Sequence, residues 1–96
     1  MPEPLPRDEI ERRLRDLPGW RLEGDAIVKE FAFEGGFRGS IAYVNRLAEA
    51  AEAADHHPDL AVRWNRVTVS LSTHSAGGVT ERDLALAGEA DRLAAG

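Results

Sequence analysis

The chain of 96 residues is short enough for one domain, predicted over residues 1–96, and its 43% hydrophobic content suits a globular protein. Its net charge of −5 disfavours direct binding of DNA or RNA, which calls for a basic surface. A sequence without cysteine excludes disulfide bonds, a thiolate nucleophile and a cysteine-bound metal. The sequence has neither a long apolar run nor the apolar core of a signal peptide, so we expect no membrane insertion and a cytoplasmic location.

An extended lead over residues 1–6 precedes the first predicted helix. That helix carries one apolar face and ends at the stretch LPGW; the face is formed by Leu5, Ile10, Leu14 and Leu17. A two-residue turn at Gly24–Asp25 then predicts a hairpin in which Leu22 faces Ile27. This register gathers a core face made of Trp20, Leu22, Ile27, Phe31 and Phe33.

The stretch EGGFRGS is predicted to be a linker into a second helix, which runs from Phe37 or Ser40 to about Asp55. Pro58 disfavours helical geometry at His57, so the helix should end before that residue. Its predicted apolar face consists of Ile41, Val44, Leu47, Ala48, Ala51 and Ala54.

The segment DLAVRWNRVTVSLSTH predicts a second hairpin, because its apolar residues alternate on both sides of Asn65–Arg66. Asparagine tolerates positive φ, which suits a two-residue turn at this point. The resulting register sets Val62 opposite Val69 and would bring His57 opposite His74, with Cβ atoms about 4.5–5.5 Å apart. Together with His56, these are all the histidines of the chain, and they are expected to form one site.

A flexible connection, SAGGVT, is predicted before the third helix, where Thr80 and Asp83 form a capping box. The apolar face of that helix includes Leu84 and Ala87. The order of elements, α-β-β-α-β-β-α, predicts an α+β fold: a four-stranded, mostly antiparallel sheet of two hairpins with three helices on one face.

The spacing around the histidines resembles that of the pterin-4a-carbinolamine dehydratase family. The shared pattern is an acidic residue, three spacers, His-His-Pro, an aromatic residue, a third histidine and a late aspartate: Glu52, His56, His57, Pro58, Trp64, His74 and Asp83. Weaker similarity extends through LPGW and the Gly–Asp hairpin. A pattern with several fixed spacings is far more specific than a lone His-His-Pro.

The resemblance implies dehydration of 4a-hydroxytetrahydropterin to quinonoid dihydropterin and water, which recycles the cofactor of aromatic amino-acid hydroxylases. It implies no metal and no bound cofactor, and a homodimer or homotetramer. It also implies that His56 and His74 transfer protons while His57 holds the pterin, whose edge is lined by Asp55, Ser72, Thr73 and Ser75. Histidine suits this chemistry because its reference pKa of about 6.5 lets it give or take a proton near neutral pH.

Four further residues are candidate supports of the site. Glu52 either orients an imidazole or is a solvated helix charge, and Pro58 is the helix stop that presents the histidine pair. Asp83 is most simply a helix cap that also holds the loop of His74. Trp64 and Trp20 are predicted to be core residues, and by family analogy Trp20 is the better candidate for a wall of the site.

Two other classes of function compete with the enzyme. One is a metal site of three histidines and a carboxylate, although adjacent histidines in an extended chain point to opposite sides. The other is a non-catalytic dimerisation or assembly cofactor of the same fold, since family members double as dimerisation cofactors for a transcription factor and degenerate relatives serve in assembly. The presence of all three histidines favours the enzyme.

Overall fold

The structure, a computed structural model, describes residues 3–95, so Met1 and Pro2 of the predicted lead lie outside it. Within this range the chain forms α1 (Arg7–Leu14), β1 (Arg21–Glu23), β2 (Ala26–Ala32), α2 (Gly36–Ala54), β3 (Asp59–Arg63), β4 (Arg66–Leu71), a 3-10 turn (His74–Ala76) and α3 (Glu81–Ala95). The predicted order α-β-β-α-β-β-α is confirmed. Among these helices of residues 3–95, none is both long and apolar enough to cross a bilayer.

The sheet is antiparallel throughout and has the strand order β1-β2-β4-β3, which leaves β3 at one edge. The first hairpin has the predicted turn at Gly24–Asp25, with Leu22 opposite Ile27, and Gly24 takes the positive φ that this turn requires. In the centre of the sheet Ile27 pairs with Leu71, and both are fully buried. All three helices contribute to the core on this face of the sheet, as predicted.

The predicted register of the second hairpin is wrong. Val62 lies opposite Val67 and Arg63 opposite Arg66, so the turn is at Trp64–Asn65 rather than Asn65–Arg66. A shift of two residues leaves every side chain on the same face of the sheet, so the alternation of apolar residues could not reveal it. Contacts from elsewhere hold the observed turn: Phe33 N donates to Asn65 O at 2.8 Å and Ser40 Oγ donates to Trp64 O at 2.6 Å.

Trp64 is consequently a turn residue, and the prediction that it belongs to the core is wrong. Its φ is +51° and 70% of its surface is exposed. The turn follows an edge strand, β3, and all five residues of that strand are exposed as well. Leu60 and Val62 of the same strand also keep more than a third of their surface exposed (38% and 36%).

Helix α2 differs from the prediction in its start and in its buried face. It begins at Gly36, so most of the predicted linker is helical. The buried face consists of Ser40, Tyr43, Leu47 and Ala51, whereas Ile41, Ala48 and Ala54 are exposed. Two hydrogen bonds fix which face of α2 is buried. The Tyr43 hydroxyl donates to Ala90 O of α3, and the Ser40 hydroxyl donates to Trp64 O in the hairpin turn. An alanine-rich helix offers nearly equal apolar faces, so periodicity alone could not choose between them.

The segment before α3 is an ordered turn, although it was predicted to be flexible. Thr73 N donates to Gly78 O at 2.9 Å, and the 3-10 turn lies between them. The predicted capping box is confirmed, because Thr80 N donates to Asp83 Oδ2 and Arg82 N donates to Thr80 Oγ1. At the same end of α3, a bidentate pair of hydrogen bonds from the guanidinium group of Arg13 in α1 lowers the pKa of Glu81.

Tyr43, the single tyrosine of the sequence, makes stability sensitive to alkaline pH. Burial, and then the negative charge of Asp91, raise the pKa of its hydroxyl well above the ordinary value, with Arg46 opposing. Above about pH 10 the unfolded state ionises its tyrosine while the folded state does not. The contribution of Tyr43 to the free energy of unfolding should therefore be constant below pH 10. Above pH 10 it should fall by up to about 1.4 kcal/mol per pH unit.

Urea unfolding between pH 8 and 11.5 measures this fall, and Tyr43→Phe is the matched control. The variant should lose about 1 kcal/mol at pH 8 with its hydrogen bond to Ala90, and should lack the tyrosine contribution to the alkaline slope. Equal slopes in the two proteins would contradict the prediction. Any pH dependence that does not come from Tyr43 is common to the two proteins and cancels from the comparison.

Candidate active site

The two adjacent histidines lie directly after the C-terminal end of α2. Asp55 ends the helix in the left-handed conformation, with φ 50° and ψ 43°, and His56 N donates back to Ala51 O at 3.1 Å. This is the hydrogen-bond pattern of a Schellman motif, in which a residue at positive φ turns the chain away from the helix axis. Pro58 follows two residues later and is half-buried, as expected for a helix stop.

His56 points into the protein and pairs with Asp83 of α3. Its Nε2 lies 2.5 Å from Asp83 Oδ1, and the two residues are 7% and 0% exposed. The other carboxylate oxygen accepts hydrogen bonds from Thr73 Oγ1 at 2.8 Å and from Thr80 N at 2.9 Å. Thr73 and Thr80 also share a hydrogen bond of 2.8 Å between their hydroxyls. Asp83 is therefore both the predicted cap and the partner of a site histidine, a second role that sequence reasoning missed.

This arrangement selects one tautomer of His56. A carboxylate accepts hydrogen bonds, so the imidazole nitrogen that faces Asp83 carries a proton. In the neutral ring the other nitrogen, Nδ1, is then an acceptor. A buried histidine with one nitrogen bound by a carboxylate is suited to take a proton through the other, as in a general base.

His57 points the opposite way and pairs with Glu52. Its Nε2 lies 2.5 Å from Glu52 Oε2, and more than half of each side chain is exposed. Glu52, in the last turn of α2, is thus a hydrogen-bond partner of an imidazole, in line with one of its two predicted roles. The predicted pairing of His57 with His74 across strands is wrong, because β3 begins only at Asp59 and its register differs by two residues.

His74 opens the 3-10 turn and is exposed. Its neighbour Thr73 is 3% exposed and is tied to Asp83 through its hydroxyl. Since His56 binds the same carboxylate, Asp83 holds the two histidine-bearing segments together. Asp83 thus ties His56 to the segment that carries His74, whereas the sequence predicted that strand pairing would bring His57 to His74.

The remaining predicted site residues divide into two groups. Ser75 and Asp55 are exposed beside the histidines, whereas the Ser72 hydroxyl donates to Asp25 O in the first hairpin turn at 2.7 Å. Trp20 is buried in the core, where its indole donates to Asp91 Oδ1 at 3.0 Å. Asp91 is eight residues beyond Asp83, about 12 Å along α3. The contacts of Trp20 therefore make it a core residue and not a wall of the histidine site.

A groove of about 460 Å³ between α2 and α3 reaches His56. Alanine side chains make up most of its lining, which also includes Leu86, Arg82 and Glu89. Arg82 Nη2 donates to the carbonyls of Asp55, at 2.6 Å, and Ala54, at 3.3 Å. Sequence reasoning overlooked this residue; its place directly before Asp83 was the available signal.

The histidines turn to separate carboxylates, and this bears on the metal-site alternative. Among residues 3–95, no group of three or more histidine, cysteine or acidic side chains has a geometry that could hold a metal ion. His56 and His57 are consecutive, yet their imidazoles pair with carboxylates on different helices.

The fold and site together define a small α+β protein with a buried histidine–carboxylate pair. A family model described as "Pterin 4 alpha carbinolamine dehydratase" matches residues 3–93. The chain belongs to this family. The match confirms the resemblance that the histidine spacing indicated. A dehydratase is a hydro-lyase, which is the enzyme class predicted from the sequence.

Curated relatives agree with this assignment. A protein of Thermosynechococcus vestitus is 51% identical over 94 residues, which are 98% of each chain. A protein of Nocardia farcinica is 51% identical over 90 residues, 94% of each chain. Both are named as inferred pterin-4-alpha-carbinolamine dehydratases.

Two solved structures share the fold. One is described as a transcriptional coactivator/pterin dehydratase from Brucella melitensis; it has a TM-score of 0.90 and 37% identity, covering 96% of this chain and 99% of that one. The other is a pterin dehydratase-like protein identified as a RuBisCO assembly factor in the alpha-carboxysome. It has a TM-score of 0.64 and 25% identity, covering 78% of this chain and 86% of that one.

Proposed function

We propose that the protein dehydrates 4a-hydroxytetrahydropterin to quinonoid dihydropterin and water. The observation that carries the proposal is the buried His56–Asp83 pair, which leaves Nδ1 of a neutral imidazole as an acceptor. Family membership supports the reaction class, and the complete histidine set supports activity in this chain.

The reaction needs two proton transfers. The C4a–O bond breaks with its electron pair on oxygen, and an acid protonates the departing hydroxyl to give water. A base removes the proton of the adjacent ring nitrogen, and the carbon–nitrogen double bond forms. We assign the base to His56, whose tautomer is set by Asp83, and the acid to the exposed His74. General acid–base assistance typically supplies about 10²- to 10⁴-fold, which suits a reaction that also proceeds unaided.

Binding of the pterin is assigned to His57 and its surroundings. Glu52 holds the His57 imidazole at the surface, where it could hydrogen-bond a planar polar ring. Asp55 and Ser75 are exposed and supply polar groups for the edge of the ring, while the Ser72 and Thr73 hydroxyls are engaged within the protein. Ser72 and Thr73 would thus act mainly by holding the loop in place.

Stopped-flow ultraviolet measurement of carbinolamine decay, with and without protein, tests the proposal. Protein dialysed against a chelator should accelerate the decay as fully as untreated protein, since the proposed steps need neither a metal nor a bound cofactor. No acceleration, or acceleration only after zinc is added, would contradict this function. Recycling of tetrahydropterin for an aromatic amino-acid hydroxylase and the cytoplasmic location stay predictions.

The alternative is a non-catalytic assembly or dimerisation module. The support for this alternative is the fold that the chain shares with a protein identified as a RuBisCO assembly factor. An inactive protein in the decay assay, with an intact fold by circular dichroism, would support this alternative over the enzyme.

We further propose that the protein is a homodimer or homotetramer. Large apolar side chains are exposed along the N-terminal part of α2 and along β3, in a surface made of Phe37, Ile41, Leu60, Val62 and Trp64. The backbone edge of β3 borders this surface. Exposed apolar area and an edge strand are both features that a second copy of the chain would cover.

Light scattering at a concentration on the order of tens of micromolar should therefore show a dimer or a tetramer. Ile41→Glu and Val62→Glu should shift the protein toward the monomer, because each would bury a charge in the interface. Ala32→Glu, an exposed site on β2, is the control and should leave the assembly unchanged. A monomeric wild-type protein under these conditions would overturn the proposal.

A further inference from the structure

The first turn of α3 holds the end of α2 through two consecutive residues. Arg82 donates from one guanidinium nitrogen to the backbone carbonyls of Ala54 and Asp55. The next residue, Asp83, accepts a hydrogen bond from the imidazole of His56. One short segment thus contacts both the backbone that presents the histidines and the side chain of the first of them.

The backbone at this point needs such a contact. The last carbonyls of an α-helix have no partner inside the helix, and a cation near the C-terminal end is favourable. Asp55 also adopts a left-handed conformation, which costs free energy in a residue with a Cβ atom, although aspartate adopts it more readily than most. A hydrogen bond to the carbonyl of Asp55 favours the observed orientation of that peptide over others.

The conformation of Asp55 determines where the histidines point. It turns the chain so that His56 enters the protein toward Asp83 while His57 faces Glu52 at the surface. We propose that Arg82 is a positioning residue of this site: by holding the carbonyls of Ala54 and Asp55, it keeps the His56 imidazole on Asp83. The expected loss of activity rests on the proposed dehydratase function, whereas the expected change at the His56 imidazole does not.

Arg82 differs from the other arginine of α3, Arg92, in what it contacts. Arg92, ten residues further on, pairs with Glu89 at the surface and contacts neither histidine segment. Arg92→Gln removes the same charge from the same helix and is therefore the matched control. Arg82→Lys keeps the charge but replaces a planar group of fixed geometry with a point charge on a flexible stem.

The experiment compares wild type, Arg82→Gln, Arg82→Lys and Arg92→Gln by two measurements. Stopped-flow kinetics give kcat and KM, and long-range nitrogen–proton correlation spectra of the imidazoles report the tautomer of each of the three histidines. In Arg82→Gln we expect kcat to fall about 10- to 100-fold, because small misplacements of a reacting group have effects of this size. The His56 signals should broaden or show mixed tautomers. Arg82→Lys should lie between Arg82→Gln and wild type, and Arg92→Gln should match wild type.

Unchanged His56 signals and kcat in a folded Arg82→Gln would overturn the proposal. If that variant does not fold, Arg82→Lys decides: wild-type kcat and imidazole signals would overturn the proposal, and intermediate values would support it. Should wild type itself prove inactive, the dehydratase function fails, while the imidazole spectra still decide whether Arg82 positions His56.

Discussion

Asp83→Asn is expected to lower kcat by about 10²- to 10⁴-fold, the range attributed to general acid–base catalysis and to a histidine held in the wrong tautomer. Asparagine has nearly the same shape but only one acceptor oxygen. Two donors, Thr73 Oγ1 and Thr80 N, converge on Oδ2 of Asp83, whereas only the His56 imidazole meets Oδ1. The amide should therefore keep its oxygen on the threonine side and turn its NH₂ group toward His56.

An NH₂ group facing Nε2 forces that nitrogen to become an acceptor and moves the ring proton to Nδ1. The proposed base would then carry a proton at the nitrogen that should receive one. Imidazole correlation spectra should show the tautomer change in His56 alone, alongside the loss of kcat in the decay assay.

Asp91→Asn is the matched control for this prediction. Asp91 lies on the same helix and accepts hydrogen bonds from Trp20 and Lys29, away from the histidines. Its substitution should lower the free energy of unfolding, by about 1–3 kcal/mol, and leave kcat nearly unchanged. Equal kinetic losses in the two variants would mean that Asp83 acts only through stability.

Truncation of the histidines should separate proton transfer from binding. His56→Ala and His74→Ala should each lower kcat about 10²- to 10⁴-fold, with smaller changes in KM, because each removes a proton-transfer group. His57→Ala should mainly raise KM, because an interaction made equally with substrate and transition state contributes to binding rather than to the chemical step.

Glu52→Gln offers a further comparison, since it alters the partner of His57 and leaves the Asp83 network intact. It should resemble His57→Ala, with a smaller increase in KM. The assignment is reversed if His57→Ala abolishes turnover while His56→Ala and His74→Ala retain wild-type kcat. Circular dichroism of each variant separates these effects from unfolding, which matters most for the buried His56.

Local signals in the sequence were sufficient wherever a structure depends on residues close together in the chain. The turn at Gly24–Asp25 needs a glycine at positive φ, and the first hairpin forms there in the predicted register. Pro58 ends α2, and Thr80 with Asp83 caps α3, because each acts on backbone groups within a few residues. The histidine spacing identified the family for a related reason, since spacing along the chain is a property of the sequence.

Tertiary contacts decided the features that depend on residues far apart in the chain. The turn of the second hairpin lies one residue earlier than predicted because Phe33 and Ser40 bind it, and the resulting two-residue shift in strand register changes no side chain's face. The partner of His56 lies 27 residues away on α3, and nothing in the local pattern distinguishes that carboxylate from an ordinary cap. Asp83 acquires its second role only when packing brings the two helices together and buries its oxygens, because a buried carboxylate must collect donors from every segment around it.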